Sequence, residues 1–117
     1  MLRKTGFLVV VLMVGVLALH GRAVAATVTG EVVDVTCYVA HSASGQAHAA
    51  CGQKCISSGM PVAIKAQDGL YLAVGSEHAS ANTMLASLAG QQVTVEGDIS
   101  TRDGVKLITI TKVNSKK

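Results

Sequence analysis

Apolar and polar residues alternate with a period of two in the last part of the chain, which is typical of a half-buried β-strand. Val93, Val95 and Gly97 alternate with Thr94, Glu96 and Asp98, as expected when one strand face packs on a core. Other segments rich in valine, threonine, isoleucine or leucine predict four more strands. The five predicted strands span residues 27–36, 62–66, 70–74, 92–100 and 105–113.

Turn and helix signals connect these strands. Asp68-Gly69 and Asp103-Gly104 predict tight turns within two hairpins. Residues 46–58 lack proline and have helical composition, and Gly59 is the expected end of that helix. A second, short helix is predicted over residues 83–88, with Asn82 as its N-cap.

This element order predicts a mostly β fold. We expect a small five-stranded, OB-like Greek-key barrel, with a Cys/His-bearing helix inserted after the first strand and a short helix before the fourth. An insertion that carries every cysteine of the chain is a natural place for a functional site.

The N-terminal segment has the features of a secretory signal peptide. Basic residues Arg3 and Lys4 precede an apolar run over residues 7–19, and Ala23-Val24-Ala25 matches a signal-peptidase site. The predicted organisation is a signal peptide at 1–25, cleaved after Ala25 or one residue later, and a single OB-like domain at 26–117. The expected location is periplasmic or secreted, with no stable membrane insertion after cleavage.

The charge of the chain lies mainly in this predicted signal segment. The formal net charge is +3, but Arg3, Lys4 and Arg22 belong to the segment, and the remainder carries seven basic and seven acidic residues. Tyr38 and Tyr71 are the only aromatic residues of the predicted domain. Without net positive charge or an aromatic platform for bases, nucleic acid is not an expected partner.

Three cysteines and two histidines lie between residues 37 and 55, and they suggest a metal site. On a helix, His48, Cys51 and Cys55 share one stripe, while Cys37 is predicted at the end of the first strand. Thiolate and imidazole ligands suit copper or zinc, and the chain lacks the C-x-x-C-H pattern of covalent haem. The predicted ligands are therefore Cys37, His48, Cys51 and Cys55.

Other residues near this group are less favoured as metal ligands. His41 and Met60 are additional candidate ligands. Asp34 alternates to the strand face opposite Cys37 and is interpreted as a structural hydrogen-bond acceptor. The function predicted from this site is exported metal binding or transfer, most simply of copper, to a metal-accepting or redox protein of the cell envelope.

Two other interpretations of the cysteines stay open at this point. A disulfide from Cys37 to Cys51 or Cys55 would join the inserted helix to the barrel and stabilise the domain by about 2–4 kcal/mol. Such a protein would serve as an interaction module of an envelope or electron-transfer complex. A thiol–disulfide redox protein would instead use Cys51 as its nucleophile, beside a helix N-terminus and close to Lys54. The sequence gives no catalytic residues beyond this alternative, so metal binding rather than an enzyme is favoured.

The chain also resembles a group of small exported bacterial proteins with an OB-like domain. The resemblance rests on Gly30-Glu31-Val32-Val33-Asp34 followed by Cys37-Tyr38, on His48, Cys51 and Cys55 before Gly59-Met60-Pro61, and on the late segment from Leu88 to Gly97. It covers nearly all of the predicted domain and implies export and the barrel fold.

Overall fold

The computed structural model describes residues 24–115. Most of the predicted signal peptide and the C-terminal Lys116 and Lys117 lie outside the described residues. The elements, in chain order, are β1 (Val24–Asp34), α1 (Val35–His41), α2 (Ala49–Ser57), β2 (Val62–Ala66), β3 (Gly69–Gly75), α3 (Asn82–Leu85), β4 (Gln92–Arg102) and β5 (Val105–Ser115). Short 3-10 turns precede α2, follow β3 and follow α3.

The five strands close into a barrel in the order β1-β2-β3-β5-β4, and β4 pairs with β1. All neighbouring strands are antiparallel except β3 and β5, which run parallel. A β-bulge between Glu96 and Gly97 shifts the register of β4 against β5. At Gly97 a Cβ atom would lie 2.1 Å from the Thr109 carbonyl oxygen, so only glycine allows this close strand approach. The predicted OB-like barrel, with helices after β1 and before β4, is confirmed.

The first strand ends earlier than predicted. The sequence placed Thr36 within the strand and Cys37 at its end, whereas the chain turns into helix α1 directly after Asp34. The physical reason is a helix cap, because the Asp34 side chain accepts a hydrogen bond from the Thr36 amide at 2.9 Å. Cys37 therefore lies on a helix.

Helix α2 covers part of the barrel core. Its last residue is Ser57, and Gly59 is the C-terminal stop that the sequence predicts. The Ile56 side chain is fully buried in the hydrophobic core, beside residues of α3 and the turn that follows it. Gly59 has φ +102°, and its amide and that of Met60 bond to the carbonyls of Ile56 and Cys55. These two bonds form a Schellman motif, which satisfies the last carbonyl groups of the helix.

The predicted N-cap of α3 is wrong by one residue. Ala81 occupies the cap position, and Asn82 is the first helical residue. The Asn82 side-chain amide instead donates hydrogen bonds to the carbonyls of Ile56 and Met60, at 2.8 and 2.7 Å. Asn82 thus joins α3 to the end of α2, a long-range role that local capping patterns do not indicate.

The predicted cleavage site, after Ala25, lies near the start of strand β1. Val24 and Ala25 are the first residues of β1 and pair with Ile99 and Asp98 of β4.

Among the described residues, no helix has the length and apolar character needed to span a membrane.

Candidate metal site

Asp34 lies at the junction of β1 and α1 and is one of the most buried side chains, with 1 % of its surface exposed. Its Oδ1 atom accepts the Thr36 amide hydrogen bond of the α1 cap. Its Oδ2 atom is also buried and has no regular hydrogen-bond partner among the described residues. A buried carboxylate oxygen is costly without a partner, so Oδ2 marks a position where a cation or a donor would be stabilising.

His48 ends the 3-10 turn that leads into α2. Its ring lies against the helix at Gly52, where a Cβ atom would come within 3.5 Å of His48 Cδ2 and 3.3 Å of the Ala89 Cβ. The glycine therefore allows close packing against Ala89, and the imidazole would be in ordinary van der Waals contact with a side chain at this position. The His48 Nε2 atom is buried and, within the described part of the chain, has no hydrogen-bond partner.

The fold brings Asp34, His48 and Cys37 together. One carboxylate oxygen, one ring nitrogen and the Cys37 sulfur all lie within 4.8 Å of one another. We refer to Asp34, Cys37 and His48 as the metal cluster, since oxygen, nitrogen and sulfur ligands at such spacing could hold a metal ion. Two of its three members were predicted as ligands, and Asp34 was not.

The assignment of Asp34 as only a structural acceptor is therefore incomplete. It rested on strand alternation, which would direct Asp34 and Cys37 to opposite faces. Because the strand stops at Asp34, the two residues are instead three positions apart at the start of a helix, and such residues face each other. A cap residue followed three positions later by a cysteine is the local signal that could have indicated this pair.

Cys51 and Cys55 of α2 were also predicted as ligands, but they are not among the side chains whose ligand atoms lie within 4.8 Å of one another. The Cys55 thiol interacts with the Asp34 carboxylate and with the Cys51 thiol. Cys51 is exposed, whereas Cys37 and Cys55 are half-buried. The structure therefore brings His48 and Cys37 of the four predicted ligands into one group, while the grouping of His48 with Cys51 and Cys55 stays a prediction.

All three cysteines are free thiols. The alternative in which Cys37 is joined to Cys51 or Cys55 by a structural disulfide is therefore not supported. The Cys37 sulfur is thus free within the metal cluster, and the sulfur atoms of Cys51 and Cys55 are free on α2.

Mutual interactions shift the pKa values of these groups. Interaction with the neighbouring Asp34 carboxylate, together with burial, raises the pKa of Cys37 to about 11. Interaction with Asp34 also raises the pKa of Cys55. Burial acts to raise the pKa of Asp34, but the Cys37 and Cys55 thiols and the Thr36 amide outweigh it and lower that pKa. In the absence of a metal, the site thus holds one carboxylate and protonated Cys37 and Cys55 thiols at neutral pH.

The two additional candidate ligands lie outside the metal cluster. His41 is an exposed residue at the end of α1. Met60 is 37 % exposed and follows the end of α2. Its amide bonds to the Cys55 carbonyl, which fixes the Met60 backbone rather than its thioether.

Comparisons of the chain with protein-family models, with curated proteins and with solved structures return no match.

Proposed function

We propose that this protein binds a transition-metal ion at the metal cluster and transfers it to a protein partner in the cell envelope, with copper(I) as the favoured cargo. The observation that carries the proposal is the meeting of Asp34, Cys37 and His48 within 4.8 Å. Two atoms of this cluster, Asp34 Oδ2 and His48 Nε2, are buried with no hydrogen-bond partner among the described residues. Buried polar atoms usually have partners, and a bound metal would satisfy both the carboxylate and the imidazole.

The donor set supports copper(I) through its sulfur atoms. The metal cluster supplies one sulfur beside one nitrogen and one oxygen, and Cys51 and Cys55 of α2 would add two further thiols, which suit copper(I) as well as zinc. Asp34 is the one hard donor, and its carboxylate would favour zinc(II). Zinc is therefore the principal competitor in any loading experiment.

The exposure of the sulfur atoms supports transfer rather than permanent storage. Cys51 is exposed at the edge of the site, while Cys37 and Cys55 are half-buried. A thiolate of a partner could approach at Cys51 and replace the protein's sulfur ligands one at a time. The signal-peptide features at residues 1–25 support an envelope location for this exchange.

A loading experiment tests the proposal. The purified, reduced protein is titrated with Cu(I) and with Zn(II) under anaerobic conditions against coloured chelators, and metal content is measured by elemental analysis. We expect one ion per chain, and we expect Cys37→Ser, Cys55→Ser and His48→Ala to weaken binding by about tenfold or more. His78→Ala is the matched control, since His78 is exposed in the turn after β3.

Three results would contradict parts of this proposal. Stoichiometric Zn(II) binding that Cu(I) does not displace would retain the site and overturn copper as the cargo. Equal affinity in wild type and His48→Ala would overturn the site itself. A metal-free native protein whose Cys51 forms a reversible disulfide would support the thiol-redox alternative instead.

A further inference from the structure

Glu31 is a buried acidic residue outside the metal cluster. It lies in β1 with 6 % of its surface exposed. Its Oε1 atom accepts a hydrogen bond from the Gly45 amide, across 14 positions of the chain. This contact joins the barrel wall to the segment between α1 and the 3-10 turn that carries His48.

Gly45 is the point from which this turn starts. Its backbone has φ +77° and ψ −175°, a combination that is essentially restricted to glycine. The Gly45 carbonyl accepts the His48 amide hydrogen bond at 3.1 Å, which closes the 3-10 turn. The position of Gly45 therefore sets the position of the His48 backbone.

A second contact holds Gly45 from the other side. Gly90 packs so closely that a Cβ atom there would lie 2.6 Å from the Gly45 carbonyl oxygen. Gln46, the next residue, donates a side-chain hydrogen bond to the Gly90 carbonyl at 3.1 Å. Gly45 is thus held between β1 and the segment that precedes β4.

From these contacts we propose that Glu31 is a positioning residue that directs His48 into the metal cluster through Gly45. The inference rests on the proposed metal-binding function and extends it to a residue that contacts no metal. Glu31 fixes the Gly45 amide, Gly45 fixes the start of the turn, and the turn presents the His48 ring beside Asp34 and Cys37. Groups that orient metal ligands in this way typically change metal affinity by 10- to 100-fold when removed.

Two substitutions separate the acceptor role of Glu31 from its charge. Glu31→Gln keeps an acceptor oxygen for the Gly45 amide, whereas Glu31→Ala removes it. We expect Glu31→Ala to weaken Cu(I) binding by about 10- to 100-fold and Glu31→Gln to restore most of that affinity. Glu96→Ala is the matched control, because Glu96 is an acidic strand residue whose side chain is 46 % exposed.

A metal-independent measurement keeps this test distinct from the test of the proposed function. In the metal-free proteins, NMR of labelled imidazole and amide nitrogens reports the environments of His48 and Gly45. We expect both signals to shift in Glu31→Ala and to stay near their wild-type positions in Glu31→Gln. A wild-type protein that binds no metal would overturn the proposed function, while these shifts would still show that Glu31 positions His48.

The positioning role fails if Glu31→Ala binds Cu(I) with wild-type affinity, or if its His48 signals are unchanged. Should Glu31→Ala not fold, Gly45→Ala disturbs the same turn without exposing or removing the acid. Among the described residues other than its chain neighbours, only Glu31, through its Oε1 atom at 3.9 Å, lies within 4 Å of a Cβ at position 45, so the positive φ is the main source of strain. Unchanged Cu(I) affinity in a folded Gly45→Ala protein would equally overturn the inference.

Discussion

Replacing Asp34 should separate its role as a helix cap from its role at the metal cluster. Asp34 Oδ1 caps α1, while Oδ2 is buried without a partner among the described residues. Asp34→Asn keeps an oxygen for the Thr36 amide but removes the charge. Asp34→Ala removes both. The two variants should therefore differ in metal-free stability and agree in their loss of the carboxylate ligand.

The expected magnitudes follow from these contacts. Loss of an N-cap costs about 1 kcal/mol, so Asp34→Ala should lower the free energy of unfolding by about 1–2 kcal/mol, and Asp34→Asn by less. Zn(II) affinity should fall by about tenfold or more in both variants, and a tenfold change corresponds to about 1.4 kcal/mol. Cu(I) affinity should fall less, because its preferred sulfur ligands remain.

The stability of the fold in acid also distinguishes the wild type from Asp34→Asn. The pKa of Asp34 is below its ordinary value of 3.8, so the ionised carboxylate stabilises the fold. This contribution is present above that ordinary pKa and is lost as the pH falls through the lowered folded-state pKa. Asparagine removes it, and the variant should show a weaker loss of stability in acid.

The assays are urea unfolding of metal-free protein, at neutral pH and in acid, and competitive titration with Zn(II) and Cu(I). Agreement of the two variants with wild type in both metal titrations would refute the placement of Asp34 at a metal. If Asp34→Asn and Asp34→Ala lost the same free energy of unfolding without metal, the helix cap would not be the way in which Asp34 stabilises the fold.

Three further predictions concern the thiols and the His48 ring. The pKa of Cys37 is raised to about 11 from 9.0, so its stabilising contribution is complete below pH 9 and lost as the pH rises toward 11. Urea midpoints of metal-free protein should fall over that window, and less so in Cys37→Ser. Iodoacetamide at pH 8 should modify exposed Cys51 before half-buried Cys37, whose thiolate fraction is about one in a thousand; mass spectrometry that found Cys37 modified first would contradict this. Gly52→Ala should gain helix propensity of up to about 1 kcal/mol, partly offset by the tight 3.3 Å contact of the new Cβ with the Ala89 Cβ, and should keep metal affinity near that of the wild type because the His48 ring lies at an ordinary contact distance of 3.5 Å; a large loss of affinity in the titration would contradict this.

The barrel could be predicted because its signals are local and repeated. Residue alternation in β4 and the Asp-Gly turns before β3 and β5 fix strand number, hairpin order and approximate bounds. Residues 62–66 were predicted as a strand with the bounds that β2 has. The barrel then closes when β4 pairs with β1.

Helix α1 could not be predicted by the same reasoning. Its sequence, Val-Thr-Cys-Tyr-Val-Ala-His, is rich in residues that favour strands, and none of them is buried. Neither an apolar stripe nor helix propensity therefore indicates a helix. The hydrogen bond from the Thr36 amide to Asp34 starts the helix. The same turn brings Asp34 close to Cys37 and His48. His48 could be proposed as a ligand because helical spacing groups it with the α2 cysteines, whereas its meeting with Asp34 and Cys37 depends on the tertiary fold.

The independence of the barrel from the metal cluster leads to a final prediction about metal removal. The hydrophobic core comes from the strands, α2 and the segment around α3, with no residue of α1. Metal removal should therefore leave the barrel folded. Helix α1 depends instead on its cap, and a metal held by Cys37 and His48 would link α1 to the start of α2.

Hydrogen exchange of metal-free and metal-loaded protein would measure this link. Amides of α1, residues 35–41, should change from fast exchange to protection on metal binding, while core strands such as β4 should be protected with and without metal. The gain should vanish in His48→Ala, which removes the ligand on the α2 side of the link, and persist in His78→Ala. Complete loss of protection across the barrel after chelation would instead mean that the metal is required for folding, because metal binding to a barrel that folds on its own adds only its binding free energy to a fold that persists without it.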